Sequence, residues 1–237
     1  MTARADDARR DGMDDTCREM PPTSSNSRRD PFEWIRGSLM KGLVGSRAER
    51  DALIEATMDL VAHALDARDR VIAMHSIRVA ELAARLTQHF DLGRRNVELV
   101  RMAGMLHDLG MIGIRDDILN KPGPLRQDEW EIMRRHSDIG ADLISWHPAL
   151  AAVAPLVRHH HERWDGSGYP AALKGEVIPM GARILAVAES FDTITNKRIY
   201  RASALTPPDA IRDVSEHAGS WYDPVVVDAL HTLFAVV

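Results

Sequence analysis

Apolar residues that recur at every third or fourth position, with almost no alternating strand pattern against them, are what most restricts the folds open to this chain. Leu53, Ala56, Leu60, Val61, Ala64 and Leu65 follow the i, i+3, i+4, i+7 rule, and Ile77, Ala80, Leu82 and Ala83 resume it. Helix starts are punctuated as well: Thr206 is a predicted N-cap before Pro207 and Pro208, and Asp223 another before Pro224 at the first helical position. β-Branched and aromatic runs bounded by tight turns are not found, and aromatic residues are only 5% of the chain, so the expected fold is all-α, a helical bundle. With 237 residues, 45% of them apolar, the chain can bury a sizeable core in one or at most two domains.

Three segments are expected. Residues 1–30 mix both charges with Ser, Pro and Asn and show no apolar period, which predicts a disordered tail because too little apolar surface exists to offset the ordering entropy. Over residues 31–46, Ile35, Leu39 and Leu43 recur beside Trp34 and Met40 with Gly37 among them, which predicts a short amphipathic helix or linker. Residues 47–237 form the expected domain. A formal net charge of −5 with dispersed basic residues argues against a nucleic-acid polymer as partner. The single cysteine, Cys17, rules out a disulfide or a Cys-based zinc cluster within one chain. The longest apolar run, Pro148 to Val157, reaches about half of the ~20 residues a spanning helix needs, so no membrane contact is expected and the composition suits the cytoplasm.

Chemistry concentrates in the histidines. Six of the 11, His107, His136, His147, His159, His160 and His161, fall between positions 107 and 161. Neutral imidazole is the commonest ligand for divalent ions, and nearby carboxylates supply the charge and bridging that a dinuclear site needs. A lone histidine is more simply a surface or core residue, and His63, His89, His147, His217 and His231 are read that way. His107 and Asp108 differ, because they close the apolar run Val97, Val100, Ala103, Met105, Leu106 and precede Leu109-Gly110. A charged pair at the end of a buried helix needs a partner, either each other or an ion lying between their directions near the helix terminus. His159, His160 and His161 span too wide an arc on a helix to share one ion, so at most two of them would join a common cluster. The DGSGYP segment after them, Asp165 to Pro170, reads as a rigid loop set beside the histidines.

Read together, HSIRV from His75, LHDLG (Leu106–Gly110), DDILNKPG (Asp116–Gly123), HSDIG from His136, HHERWDGSGYP (His160–Pro170), IPMGARILAVAESFD (Ile178–Asp192) and RIYR (Arg198–Arg201) resemble the HD-GYP subgroup of the HD phosphohydrolase superfamily. The resemblance runs from about residue 59 to the C-terminus. It implies an HD-type helical bundle with a metal site in its core, holding two divalent transition-metal ions, iron or manganese first and zinc as an alternative. The matching ligand positions are His75, His107, Asp108, His136, His160, His161 and Glu189. By that likeness His75, His107, Asp108 and Glu189 surround one metal, and Asp108, the matched catalytic position, bridges to a second held by His136, His160 and His161. Two such cations about 3.5–4 Å apart suit in-line displacement at a phosphodiester. Gly168, Tyr169, Arg198 and Arg201 match ligand-binding positions. Tyr169 is suited to stacking on guanine, and the two arginines offer planar donor forks for phosphate.

The implied activity is hydrolysis of the bacterial messenger cyclic di-GMP to pGpG or GMP, with the GYP loop as a contact for diguanylate-cyclase domains. Three departures set up an alternative. Met111 stands where the HDxGK pattern has lysine, and a thioether offers neither charge nor proton to the scissile phosphate. Glu189 replaces an aspartate, moving the carboxylate by about one bond length, ~1.5 Å. Val71, four residues before His75, replaces the glutamate of three-metal members, which predicts a dinuclear site. Arg115 in place of a loop proline has no evident consequence. Two other readings therefore stand beside the phosphodiesterase: a catalytically degenerate module that binds a cyclic dinucleotide or a cyclase as sensor or scaffold, and a phosphohydrolase of another nucleotide.

Overall fold

A helix of twenty residues, α1 (Arg70–His89), organises the domain, because its sequence contains neither Gly nor Pro and carries small and branched apolar residues along one side. Ala73, Ser76, Val79, Ala80, Leu82, Ala83 and Leu86 are buried on that side. Ile77, expected in the stripe, is 40% exposed, since it lies about 100° round the helix from Ser76 and falls off the buried arc. The computed structural model describes residues 52, 56, 58–61, 63, 70–196 and 204–235, all within the compact unit Asp51–Val237. The expected tail over 1–30, the amphipathic helix over 31–46, Leu53, Ala64, Leu65, and both Arg198 and Arg201 lie outside the described residues.

The chain turns through Asp91 and Gly93, both with positive φ, into α2 (Arg94–Leu106), which packs along α1. A 3-10 turn (Leu109–Gly113) leads to the short α3 (Asp116–Leu119), then α4 (Gln127–Arg134), α5 (His136–Ser145) and α6 (Ala154–Arg158). Next comes α7 (Met180–Thr195), followed by α8 (Pro207–Ser215) and α9 (Pro224–Ala235). Among the described residues there is no strand beyond one isolated bridge, Ala218 with Tyr222, so the all-α expectation holds. Both predicted caps form. Thr206 Oγ1 accepts from Asp209 N at 3.4 Å, and Asp223 Oδ1 accepts from Val225 N at 2.9 Å.

The core lies around α7, whose apolar residues occupy most of its circumference and which packs on α1, α2, α6, α8 and α9. Ile184, Leu185, Val187 and Ala188 are sealed there against Val79, Leu86, Leu106 and Leu230. Each of the larger side chains contributes about 1.5–3 kcal/mol by leaving water. Gly110 decides how the first half meets the second. A Cβ at that position would collide with the His136 carbonyl oxygen and stand 2.6 Å from Gly140 N, so only glycine lets the 3-10 turn lie directly on the start of α5. That approach brings the His107–Asp108 pair beside His136.

Candidate metal centre

Helix α2 ends at Leu106, so His107 occupies the C-cap and Asp108 begins the 3-10 turn. The pair therefore sits at a helix terminus, where both side chains can face one point. His75 comes from the middle of α1, Glu189 from α7, and His136 from the first turn of α5. The three consecutive histidines differ from the helical picture: α6 stops at Arg158, and they form the turn after it. His159 is separated from the others and faces Glu162 at 3.4 Å, while His160 and His161 turn towards His136.

Two groups result. Ligand-type atoms of His75, His107 and Glu189 lie within 4.8 Å of one another, and so do those of His136, His160 and His161. Asp108 stands between them, with Oδ2 3.2 Å from His107 Nε2 and Oδ1 3.8 Å from His136 Nε2. Imidazole rings run continuously from one group to the other: His75 to His107 at 5.2 Å, His107 to His160 at 5.3 Å, and His160 to His161 at 4.0 Å. His161 Nδ1 lies 3.8 Å from Glu189 Oε2, so the longer glutamate side chain reaches the boundary between the groups. His63, His89, His147, His217 and His231 belong to neither group.

Hydrogen bonds behind the rings fix which nitrogen faces inward. Nδ1 of His107 donates to Gly104 O at 2.7 Å, Nδ1 of His136 to Met133 O at 2.8 Å, and Nδ1 of His160 to Val157 O at 2.5 Å. His75 Nδ1 donates to Asp192 Oδ2 at 2.6 Å. With Nδ1–H engaged in this way, each imidazole turns Nε2 to the interior, where that nitrogen can offer a lone pair once it carries no proton. His75 Nε2 and His107 Nε2 are buried with no hydrogen-bond partner, and His136 Nε2 is 3.4 Å from His160 Nε2 and 3.1 Å from His161 Nε2. Converging unshared lone pairs repel, and a buried orphan acceptor costs about 1–3 kcal/mol. A cation among them removes both penalties. These residues thus fit divalent metal, and nitrogen and carboxylate donors without thiolate suit iron, manganese or zinc.

Protons are unevenly held across these rings. Burial and the neighbouring His161, His107 and His136 hold His160 well below the usual histidine range. Burial likewise brings His161 down to about 4, against the attraction of Glu189. Burial would also lower His107, but the Asp108 carboxylate beside it outweighs that and pushes it up. Asp108, which burial would raise, is held well below the usual carboxylate range by His107, His136 and His75. The centre is therefore arranged to hold positive charge next to Asp108.

Three further residues, given no role by the sequence patterns above, pack around these groups. Asp192 is 5% exposed and gathers His75 Nδ1, Arg78 Nε at 2.6 Å and Asn196 Nδ2 at 2.9 Å. It follows Glu189 by three residues, one helical turn, and that spacing could have revealed it. Glu162, 3% exposed, accepts from Ala171 N at 2.7 Å and Leu173 N at 3.1 Å, and so ties the GYP loop to the histidine turn. Arg134 places its guanidinium carbon 5.3 Å from the centre of the Tyr169 ring. Tyr169 itself lies against His161, ring centres 4.7 Å apart. Burial, reinforced by Glu189, pushes its phenol up, so the hydroxyl stays a donor. Gly168 is needed by its surroundings: a Cβ there would collide with Arg163 N and stand 2.5 Å from Glu162 Cα and 2.6 Å from His161 O.

The family model described as HD domain matches residues 57–226. This chain belongs to the HD domain family. Its curated relatives place it with the HD-GYP type expected from DGSGYP. The chain is 37% identical over 195 residues to the cyclic di-GMP phosphodiesterase response regulator RpfG of Xanthomonas campestris, covering 81% of this chain and 51% of that protein. It is 40% identical over 164 residues to a cyclic di-GMP phosphodiesterase of Thermotoga maritima, covering 68% and 44%. The chain thus spans about half the length of these relatives. Among solved structures, a cyclic GMP-AMP-specific phosphodiesterase of Vibrio cholerae, V-cGAP3, matches with TM-score 0.54 at 21% identity, over 68% of this chain and 44% of the other. That likeness concerns the fold. No helix among the described residues is long and apolar enough to cross a membrane.

Proposed function

We propose that this HD domain is a metal-dependent phosphodiesterase that opens cyclic di-GMP, giving pGpG or GMP. The observation that carries the reading is the pair of adjoining three-residue groups with unshared Nε2 lone pairs directed between them. His75, His107 and Glu189 would hold one divalent ion, His136, His160 and His161 a second, and Asp108 would serve both. Iron or manganese suits the donor set best, with zinc as an alternative. Bound cations supply Lewis-acid charge for the phosphoryl oxygens and make water acidic enough to act as nucleophile near neutral pH.

The chain's own groups do the rest. Backbone carbonyls and Asp192 keep the imidazoles in register, so no reorganisation is needed when the substrate arrives. Asp108 is already ionised and available to accept a hydrogen bond from the attacking water. The Tyr169 hydroxyl, kept protonated, can donate to the dinucleotide. Arg198 and Arg201 are proposed as phosphate contacts on their match to the RIYR pattern. Relatives of 37% and 40% identity named as cyclic di-GMP phosphodiesterases support this substrate, while one of 35% identity named 3'3'-cGAMP-specific phosphodiesterase 2 makes the mixed dinucleotide the first competitor to test. No feature of the described GYP loop selects a diguanylate cyclase, and none is proposed as partner.

Protein loaded with manganese or iron and incubated with cyclic di-GMP should release linear product, read by chromatography. Tight binding without turnover under either metal would overturn the proposal in favour of a sensor. One observation favours that second reading: the turn LGMIG after Asp108 contains no cationic residue. Met111→Lys separates the two. Activity appearing only in the variant marks the natural chain as a binding module, whereas an active parent that changes little is an enzyme.

A further inference from the structure

Several arginines of this domain are held by carboxylates. Arg78 is held by Asp192, Arg158 by Asp138 and Asp142, and Arg183 by Asp223. Arg134 is different. It closes α4 two residues before His136, its side chain is exposed, and it forms no ion pair with any described residue. Its guanidinium lies over Tyr169, 5.3 Å from the ring centre, and the same ring lies 4.7 Å from that of His161, whose Nε2 is 3.1 Å from His136 Nε2. A cation is therefore parked within about 10 Å of the candidate metal group, on an aromatic ring, with its donor edge unengaged. Asp108 and Glu189 are engaged with His136 and His161, and neither forms an ion pair with Arg134.

A guanidinium placed on a ring face keeps its in-plane N–H fork free, and that fork matches two phosphate oxygens. Of the three described arginines that lie over an aromatic ring, Arg134, Arg163 and Arg183, Arg134 is the one whose ring also lies against a candidate metal ligand. We infer that Arg134 is a phosphate clamp of the substrate site: it grips a phosphodiester of a cyclic dinucleotide from the α4 side while Tyr169 holds its guanidinium in place. This rests on the functional reading above and adds a residue to it. Arg163 is not an equivalent candidate, because it lies 4.1 Å over Trp221, a ring that packs on His217 and Tyr222 rather than on a candidate ligand.

The test is calorimetric binding of a hydrolysis-resistant phosphorothioate analogue of cyclic di-GMP to manganese-loaded protein, with metal content and melting temperature measured in parallel. Arg134→Ala should weaken binding by about 10–100-fold, the loss expected for a charge-assisted hydrogen-bonded contact, and make affinity less dependent on salt. Metal equivalents and melting temperature should stay at the parent's values. Arg134→Lys should recover only part of the affinity, since a point charge replaces a fork. Binding within twofold of the parent in the alanine variant, or full rescue by lysine together with a melting change that lysine also repairs, would overturn the clamp. A parent that binds no cyclic dinucleotide overturns the functional reading and the clamp with it. A parent that binds beside an unaffected Arg134→Ala overturns the clamp alone.

Discussion

Replacing Asp192 with asparagine keeps the side chain's shape but removes one acceptor and the negative charge paired with His75 and Arg78. Its two oxygens take up four donors: His75 Nδ1 at 2.6 Å, Arg78 Nε at 2.6 Å and Nη2 at 3.0 Å, and Asn196 Nδ2 at 2.9 Å. An amide has a single acceptor oxygen, so its NH2 group must face either His75 or the Arg78–Asn196 side. His75 then loses the bond that fixes its tautomer and makes Nε2 a stronger donor to metal. Outer-shell losses of this kind cost about 10–100-fold in metal affinity, or about 1.4–2.8 kcal/mol. Chelator competition monitored by elemental analysis should show one equivalent of metal weakened by that factor and the other unchanged. The variant also predicts an acid effect. Burial would raise Asp192, but His75 and Arg78 hold it below its ordinary value, so its contribution is present above about pH 4 and disappears as pH falls through the lowered value. Metal-free Asp192→Asn should lack that acid-dependent loss. Unchanged affinity for both equivalents would refute the claim that Asp192 supports a metal-binding His75.

Two further outcomes are expected. Gly168→Ala forces a Cβ into the backbone of Glu162 and Arg163 and should destabilise the domain by about 1–3 kcal/mol, roughly 2–12 °C in melting temperature, with dinucleotide affinity falling as Tyr169 shifts; an unshifted melting curve would contradict the close approach. Because Asp108 raises His107, the metal-free pair stabilises the fold fully below about pH 6.5, and that stabilisation is lost as pH rises through the raised value. Metal must then displace the His107 proton at pH 7, while His160 and His161, held low, have none to give. Calorimetry of metal binding in buffers of different ionisation enthalpy should register proton release at pH 7 that disappears at high pH, and zero release at pH 7 would count against it.

The helical fold was legible because patterns that repeat every turn report directly on burial, as Val97, Val100, Ala103 and Leu106 do. N-caps such as Thr206 and Asp223 were legible because a cap is a local hydrogen bond. Ile77 was misassigned because an arc of small residues, Ala73, Ser76, Ala80 and Ala83, is what packs on α2 and α7, and small residues weigh little in a hydrophobicity pattern. The candidate site was visible in part. Motif order gathered the histidines, and the structure brings His75, His107, Asp108, His136, His160, His161 and Glu189 together, though the arc argument for HHH assumed a helix where there is a turn. Glu162 and Arg134 were not legible, since their partners are backbone amides and a ring that only tertiary contact supplies.

The proposed function requires that these imidazoles and carboxylates form one two-metal centre. Elemental analysis of the purified chain, beside His107→Ala and His136→Ala, decides whether it does. Two equivalents of iron, manganese or zinc per chain are expected in the parent, with each variant retaining its helical circular dichroism while losing at least one equivalent. A parent purified and reloaded with no more than stray metal, or variants that keep both equivalents, would contradict it.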